Sequence, residues 1–172
     1  TVGGLHAPSG GIVEPYRFVF SMVESAQKNG VELVTDFEVT EAERLDGRNG
    51  YRIHAADGRS IEADYVVNAA GLYADRVSRI FGGEEFDIHP RKGEYYLLDR
   101  QTKASPHKVL FPTPTKVSKG MPVIPTCEGT VLVGPTAEEI DDKEDVATSA
   151  EQLDRIFDAA RKMMPVAMAG FW

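Results

Sequence analysis

The stretch Y-V-V-N-A-A-G-L-Y-A-D at 65–75 constrains this chain most, because its residue pattern changes from one kind of element to another. Tyr65, Val66 and Val67 are β-favouring residues in a continuous apolar run, the pattern of a buried strand. Ala69, Ala70 and Gly71 then remove side-chain bulk. Beyond them Tyr73, Val77, Ile80 and Phe81 recur at helical spacing. A strand that ends in tiny residues and opens into a helix exposes backbone N–H groups at the carboxyl end of a sheet. Phosphates and cofactors commonly sit there in α/β proteins. The same residues also suit a plain strand-to-helix turn in a core, since a lone A-A-G is a weak signal.

The flanking sequence predicts the elements around this turn. Residues 3–11 hold Gly3, Gly4, Pro8, Gly10 and Gly11 and read as a loop. Pro15 suits the first position of a helix, where its missing N–H costs no hydrogen bond. Tyr16, Val19, Phe20, Val23 and Ala26 form an apolar stripe, and Asn29-Gly30 supplies a left-handed cap. V-E-L-V at 31–34 reads as a short strand that could join a parallel sheet. From Asp36 to Ala63 the texture is that of an antiparallel meander, with turns at Asp46-Gly47 and Asn49-Gly50. Asp57-Gly58 between alternating segments is the strongest hairpin signal.

After Gly82-Gly83 the chain changes to short strands, at 94–99, 108–111, 122–126 and 130–133, with prolines between them. A capping box from Thr148 to Glu151 opens a last helix whose core face is Leu153, Ile156, Phe157, Ala160 and Met163, with Pro165 ending it. The segment 138–145 reads as an acidic surface loop.

Composition removes whole classes of function. The net charge of −8 disfavours nucleic acid and anionic membranes as partners. No apolar run is long enough for a membrane span. The lone Cys127 forms no internal disulfide and reads as a buried apolar filler. There is no G-x-G-x-x-G, no phosphate-binding P-loop, no G-x-S-x-G and no histidine pair at metal-ligand spacing. Both ends read as cut, so an internal piece of a longer protein is expected.

Taken together, G-G-L-H-A-P-S-G-G-I-V-E-P (3–15), N-A-A-G-L-Y-A-D (68–75), P-R-K-G-E-Y (90–95), the P-T…K-G stretch (112–120) and G-P-T-A (134–137) resemble an FAD-dependent family. It is the D-amino-acid-oxidase-like superfamily, in the segment order of its glycerol-3-phosphate dehydrogenase and L-2-hydroxyglutarate dehydrogenase branch. The resemblance covers essentially the whole chain. It implies an α+β or α/β architecture: a partial FAD-binding, Rossmann-like layer with a β-meander, plus a mixed antiparallel-sheet substrate lobe. The implied division is 1–83 for the partial FAD-binding lobe and 84–172 for the substrate lobe, ending at a truncated return near Ala169-Gly170. The family's N-terminal dinucleotide fingerprint is absent.

The resemblance also implies roles. FAD is the cofactor of the parent protein, with Val39 near its adenine and Ala70 and Gly71 near its pyrophosphate and ribityl chain. The implied partners are a small anionic substrate and the remainder of the protein's own chain, and the implied setting is cytoplasmic. The implied reaction is hydride transfer to the flavin from glycerol 3-phosphate or a 2-hydroxy acid such as L-2-hydroxyglutarate. An amine-oxidising relative of the glycine or sarcosine oxidase type, or a non-catalytic binding module, are the alternatives. Such a reaction needs a base for the hydroxyl proton, and histidine suits neutral pH. His6, in the glycine-rich loop, is the first choice over His54, His89 and His107. Arg91 and Lys92 are the candidates for gripping an anion, with Lys119 as a second positive site. Tyr95 and Tyr96 point to opposite faces of one strand, so only one of them can face a substrate. The isolated chain is expected to be inactive.

Overall fold

The computed structural model describes residues 3–100, 105–114 and 120–164. In chain order the elements are α1 (Pro15–Lys28), β1 (Val39–Arg44), β2 (Tyr51–Ala55), β3 (Ser60–Ala63), a 3-10 turn (Gly71–Tyr73), α2 (Ala74–Ile80), β4 (Arg91–Lys92), β5 (Tyr96–Leu98), β6 (Val123–Pro125), β7 (Val131–Val133), β8 (Glu138–Glu139) and α3 (Ala150–Met163). The strands form sheets in the orders β1-β2-β3, β4-β8 and β5-β7-β6. The chain is α+β and divides into two compact units.

One unit comprises Gln27–Pro90 and Glu139–Glu144. Its centre is the predicted meander. β1 and β2 pair antiparallel from Val39↔Ala55 to Arg44↔Tyr51, with an irregularity between Val39 and Glu41. β2 and β3 continue the ladder with Ile53↔Ile61. The turns do what their residues dictate. Gly58 closes the β2–β3 hairpin in the left-handed region at φ 88. Gly50 sits at φ 130, and a Cβ there would come within 2.8 Å of the Ala63 carbonyl oxygen, so only glycine fits. Tyr51 meets Phe81 edge-on at 5.2 Å between ring centroids, which packs the end of α2 on the meander.

Two expected strands are absent. Residues 31–34 are exposed and unpaired among the described residues. Residues 65–67 are likewise not a strand, and Tyr65 and Val67 are 91% and 88% exposed rather than buried. Their composition favours β structure, but a strand exists only through a ladder, and no described segment offers these residues one.

The other unit comprises Thr1–Ala26, Arg91–Glu138 and Asp145–Trp172. Its core lies between the β5-β7-β6 sheet and α3. Val123, Val131 and Val133 are fully buried against Ile156 and Ala160 of the helix, with Leu98 beside them. The register explains the selection: Leu98↔Val131 and Val123↔Val133 put these side chains on one face. Leu97, on the opposite face, is exposed. Tyr96 faces inward and meets Phe157 edge-on at 6.4 Å. The expected strand at 108–111 reduces to a single bridge, Leu110↔Val123. Helix α1 follows its predicted bounds, yet Phe18, Val19 and Phe20 are exposed and none of its residues is buried.

Two further expectations change, and one is not tested. The cap of α3 is Ser149, not Thr148: the Ser149 hydroxyl accepts from the Gln152 N–H at 3.3 Å. Pro165 lies outside the described residues. Cys127 is exposed, because it occupies the tip between β6 and β7, where the Gly129 N–H closes a turn on the Thr126 carbonyl at 3.1 Å.

Candidate functional site

The turn that dominates the sequence is built from its own side chains. Asn68 donates from Nδ2 to the Ala74 carbonyl at 2.8 Å and accepts the Ala70 N–H on Oδ1 at 3.3 Å. The amide therefore bridges the turn, as asparagine does where it competes with regular backbone bonding. Gly71 takes φ 56, a left-handed conformation that a Cβ would strain, and a Cβ there would find nothing within 4 Å. Gly71 and Leu72 open the 3-10 turn, and the first N–H groups of a helical turn have no acceptor within it. An open approach to small, exposed backbone is compatible with a cofactor chain lying against Ala70 and Gly71.

At the far end of the same motif stands Asp75, which sequence reasoning did not single out. It is 5% exposed. Its Oδ2 accepts from Lys143 Nζ at 2.6 Å and from the Ile88 N–H at 3.1 Å, while Oδ1 accepts the Arg76 N–H at 2.8 Å. The Lys143 hydrogen bond, followed by the Ile88 amide, holds this carboxyl far below the usual carboxylate range. The segment 138–145 is thus more than an acidic surface loop. An acidic residue in the first turn of α2 was visible in the sequence; its burial was not.

Val39 opens β1, half-buried and paired with Ala55. The backbone just before it is held by the β2–β3 hairpin. The Ala56 N–H donates to the Glu38 carbonyl at 2.9 Å, and the Arg59 guanidinium donates to the Asp36 carbonyl. Arg59 also lies over the Phe37 ring, 5.3 Å from its centroid. Asp36 itself has φ 53, so this bend is fixed by contacts rather than by its own preference.

In the other unit, Arg91 and Lys92 differ sharply. Lys92 is committed inward: Nζ lies 2.8 Å from Asp145 Oδ2, 3.1 Å from the Ala147 carbonyl and 3.6 Å from Glu94 Oε1. The hydrogen bond to Asp145 raises the Lys92 pKa, and that to Lys92 lowers the Asp145 pKa. Arg91 is exposed and its guanidinium has no partner among the described residues. Glu94, also missed by sequence reasoning, is 3% exposed. Its Oε2 accepts the Ser149 N–H at 2.8 Å, and its backbone N–H reaches Thr136 Oγ1 at 3.0 Å. Tyr95 is exposed on the sheet face away from α3.

Among the histidines, His6, His89 and His107 are exposed. His54 Nε2 lies 3.5 Å from Glu43 Oε1 on the meander. Lys119 lies outside the described residues. No group of three His, Cys, Asp or Glu among the described residues could hold a metal ion. No helix among them is long and apolar enough to cross a membrane.

An α+β chain with these glycine turns matches a known family over nearly its whole length. Residues 1–171 match DAO, the FAD dependent oxidoreductase family, and the chain belongs to that family. It is 39% identical over 170 residues to the glycerol 3-phosphate dehydrogenase of Caloramator mitchellensis, an alignment covering 97% of this chain and 35% of that protein. It is 30% identical over 139 residues to the L-2-hydroxyglutarate dehydrogenase of Escherichia coli strain K12, covering 79% of this chain and 32% of that protein. The chain thus spans about a third of the length of these curated relatives. Among solved structures it resembles the dithionite-reduced L-alpha-glycerophosphate oxidase of Mycoplasma pneumoniae with FAD bound, at a TM-score of 0.73 and 26% identity, over 81% of this chain and 37% of that one. The likeness to glycine oxidase of Geobacillus kaustophilus, with a TM-score of 0.62 and 21% identity over 86% of this chain and 37% of that one, is one of fold.

Proposed function

We propose that this chain forms part of a flavin-dependent dehydrogenase that oxidises a small anionic alcohol, glycerol 3-phosphate or a 2-hydroxy acid such as L-2-hydroxyglutarate. The observation that carries the reading is the 39% identity, over nearly the whole chain, to a glycerol 3-phosphate dehydrogenase. In this reading residues 1–83 belong to the FAD-binding lobe and residues 84–172 to the substrate lobe, and the protein works in the cytoplasm.

The bound FAD would supply the two-electron acceptor. The chain's own residues then have three tasks. The small side chain of Ala70 and the open, left-handed backbone at Gly71 let the cofactor's phosphate-bearing chain approach, and Val39 borders its adenine. Arg91, exposed and without a partner among the described residues, offers a planar fork to a carboxylate or phosphate. Tyr95, exposed on the same side of the strand as solvent, adds a hydroxyl, and Lys119 is a second cationic candidate. Lys92 has its charge compensated by Asp145 and Glu94, so the weight of anion binding falls on Arg91. His6 takes the hydroxyl proton at a ring nitrogen.

The test uses the complete flavoprotein, mixed anaerobically with glycerol 3-phosphate and, in parallel, with L-2-hydroxyglutarate. Bleaching of the oxidised flavin by one of them supports the reading and names the substrate. Retained FAD with bleaching by neither overturns the substrate class and moves the protein toward the amine oxidases. The 172-residue chain alone, which holds no G-x-G-x-x-G, is expected not to turn over; tight FAD binding by it in an equilibrium titration would contradict that.

A further inference from the structure

The motif turn at 68–73 is exposed and makes few bonds beyond itself. Asn68 ties it internally to Ala70 and Ala74. The far end of α2 packs on the meander through Phe81, but next to the turn the ties to other segments converge on Asp75, where three parts of the chain meet. The Arg76 amide comes from α2, the Ile88 amide from the segment before Pro90, and Lys143 from the segment 139–144. That last segment is itself tied down, because the Ile140 N–H donates to the Pro90 carbonyl at 3.2 Å. Lys143 also lies over the ring of Tyr73, with Nζ 5.6 Å from its centroid. A lysine set among Asp141, Asp142, Glu144 and Asp145 thus reaches past four nearby carboxylates to a buried one 68 residues away. Two backbone amides already serve the Asp75 carboxylate, so Lys143 is not needed to relieve an unsatisfied group. What it adds is a bond from a distant segment to the two residues, Tyr73 and Asp75, that end the glycine turn.

We propose that Lys143 is a positioning residue for the cofactor, fixing the Asn68–Gly71 turn through Asp75 and the Tyr73 ring. The inference rests on the FAD assignment above and names the part of the chain that sets how firmly the turn presents its backbone. Asp141, Asp142 and Glu144 face solvent or their own backbone and are not part of the latch.

The experiment uses the complete apoprotein, titrated with FAD by flavin fluorescence, as wild type and as Lys143→Met, Lys143→Arg, Asp75→Asn and the Lys143→Met/Asp75→Asn double variant. Lys143→Met and Asp75→Asn are each expected to raise the FAD Kd by about tenfold or more, as for loss of a charge-assisted bond that orders a site. The double variant should bind no more weakly than about threefold beyond either single one, because both remove the same connection. Lys143→Arg should restore binding to within about threefold of wild type. At saturating FAD, the visible circular dichroism of the bound flavin should change in Lys143→Met and return in Lys143→Arg. A loss of fold stability alone would leave that saturated spectrum unchanged. Should Asp75→Asn not fold, the two lysine variants decide the matter, since Asp75 keeps its backbone donors in both. Wild-type affinity and dichroism in Lys143→Met overturn this proposal and leave the proposed function standing. A wild-type apoprotein that binds no FAD overturns the function, and the positioning role with it.

Discussion

The Glu94 carboxylate accepts the backbone N–H of Ser149 at 2.8 Å, across 55 residues of sequence. Ser149 is the N-cap of α3, and a capping box would satisfy that N–H from within the helix itself. Here a buried glutamate just before β5 does so instead, which docks the start of the helix beside the sheet it covers. Removing the acceptor in Glu94→Ala leaves the Ser149 N–H without its partner and should cost about 1–3 kcal/mol. Glu94→Gln keeps an acceptor oxygen and should cost less. Urea unfolding of the two variants checks the order; equal midpoints for Glu94→Ala and wild type would contradict it.

The hydrogen bonds to Asp75 make stability depend on pH in a stated direction. The folded carboxyl titrates far below its ordinary value near 3.8, chiefly because of Lys143. A depressed folded pKa contributes stability that is fully present above the unfolded value. That contribution is lost as the pH falls through the folded one. The stability gap between wild type and Asp75→Asn should therefore be widest near neutral pH and should narrow steadily below about pH 4. Denaturant melts at pH 7 and pH 3 measure it, and a gap that widens on acidification would reverse the sign.

Gly71 tests the turn itself. An alanine there meets no neighbouring atom but must adopt φ 56. Gly71→Ala should lower stability by about 1–2 kcal/mol, and Gly71→Asn by less, because asparagine tolerates the left-handed region. In the complete flavoprotein both should weaken FAD binding, read by fluorescence titration.

Arg91 and Lys92 should separate cleanly in kinetics. Arg91→Ala in the complete flavoprotein is expected to raise KM for the anionic substrate by about 10–100-fold, the loss of a charge-assisted bond, with little effect on melting. Lys92→Ala should act mainly on stability, since it strips Asp145 and Glu94 of their cation. A KM effect confined to Lys92→Ala would reverse the assignment of the anion site.

What the sequence reveals here divides by range. Asp57-Gly58 and Asn49-Gly50 specify their turns through local backbone preference, and the meander between them forms as read. The bounds of α1 and the core face of α3 likewise follow from local pattern, while the apolar stripe of α1 is not buried. The segments 31–34 and 65–67 carry the right residues for strands, yet strands need a neighbour, and composition does not supply one. The ion pairs of Lys92 and Asp75 were not legible for a related reason. Their partners, Asp145 and Lys143, lie 53 and 68 residues away, and no local pattern marks such pairs. Cys127 is hydrophobic enough for a core, but the turn between β6 and β7 places it outside one.

That position has a practical consequence. The chain holds one thiol, and it stands on the exposed tip between β6 and β7. A maleimide dye attached to Cys127 would mark one known point of the β5-β7-β6 sheet. Its emission during denaturant unfolding would report on that sheet alone, without any catalytic turnover.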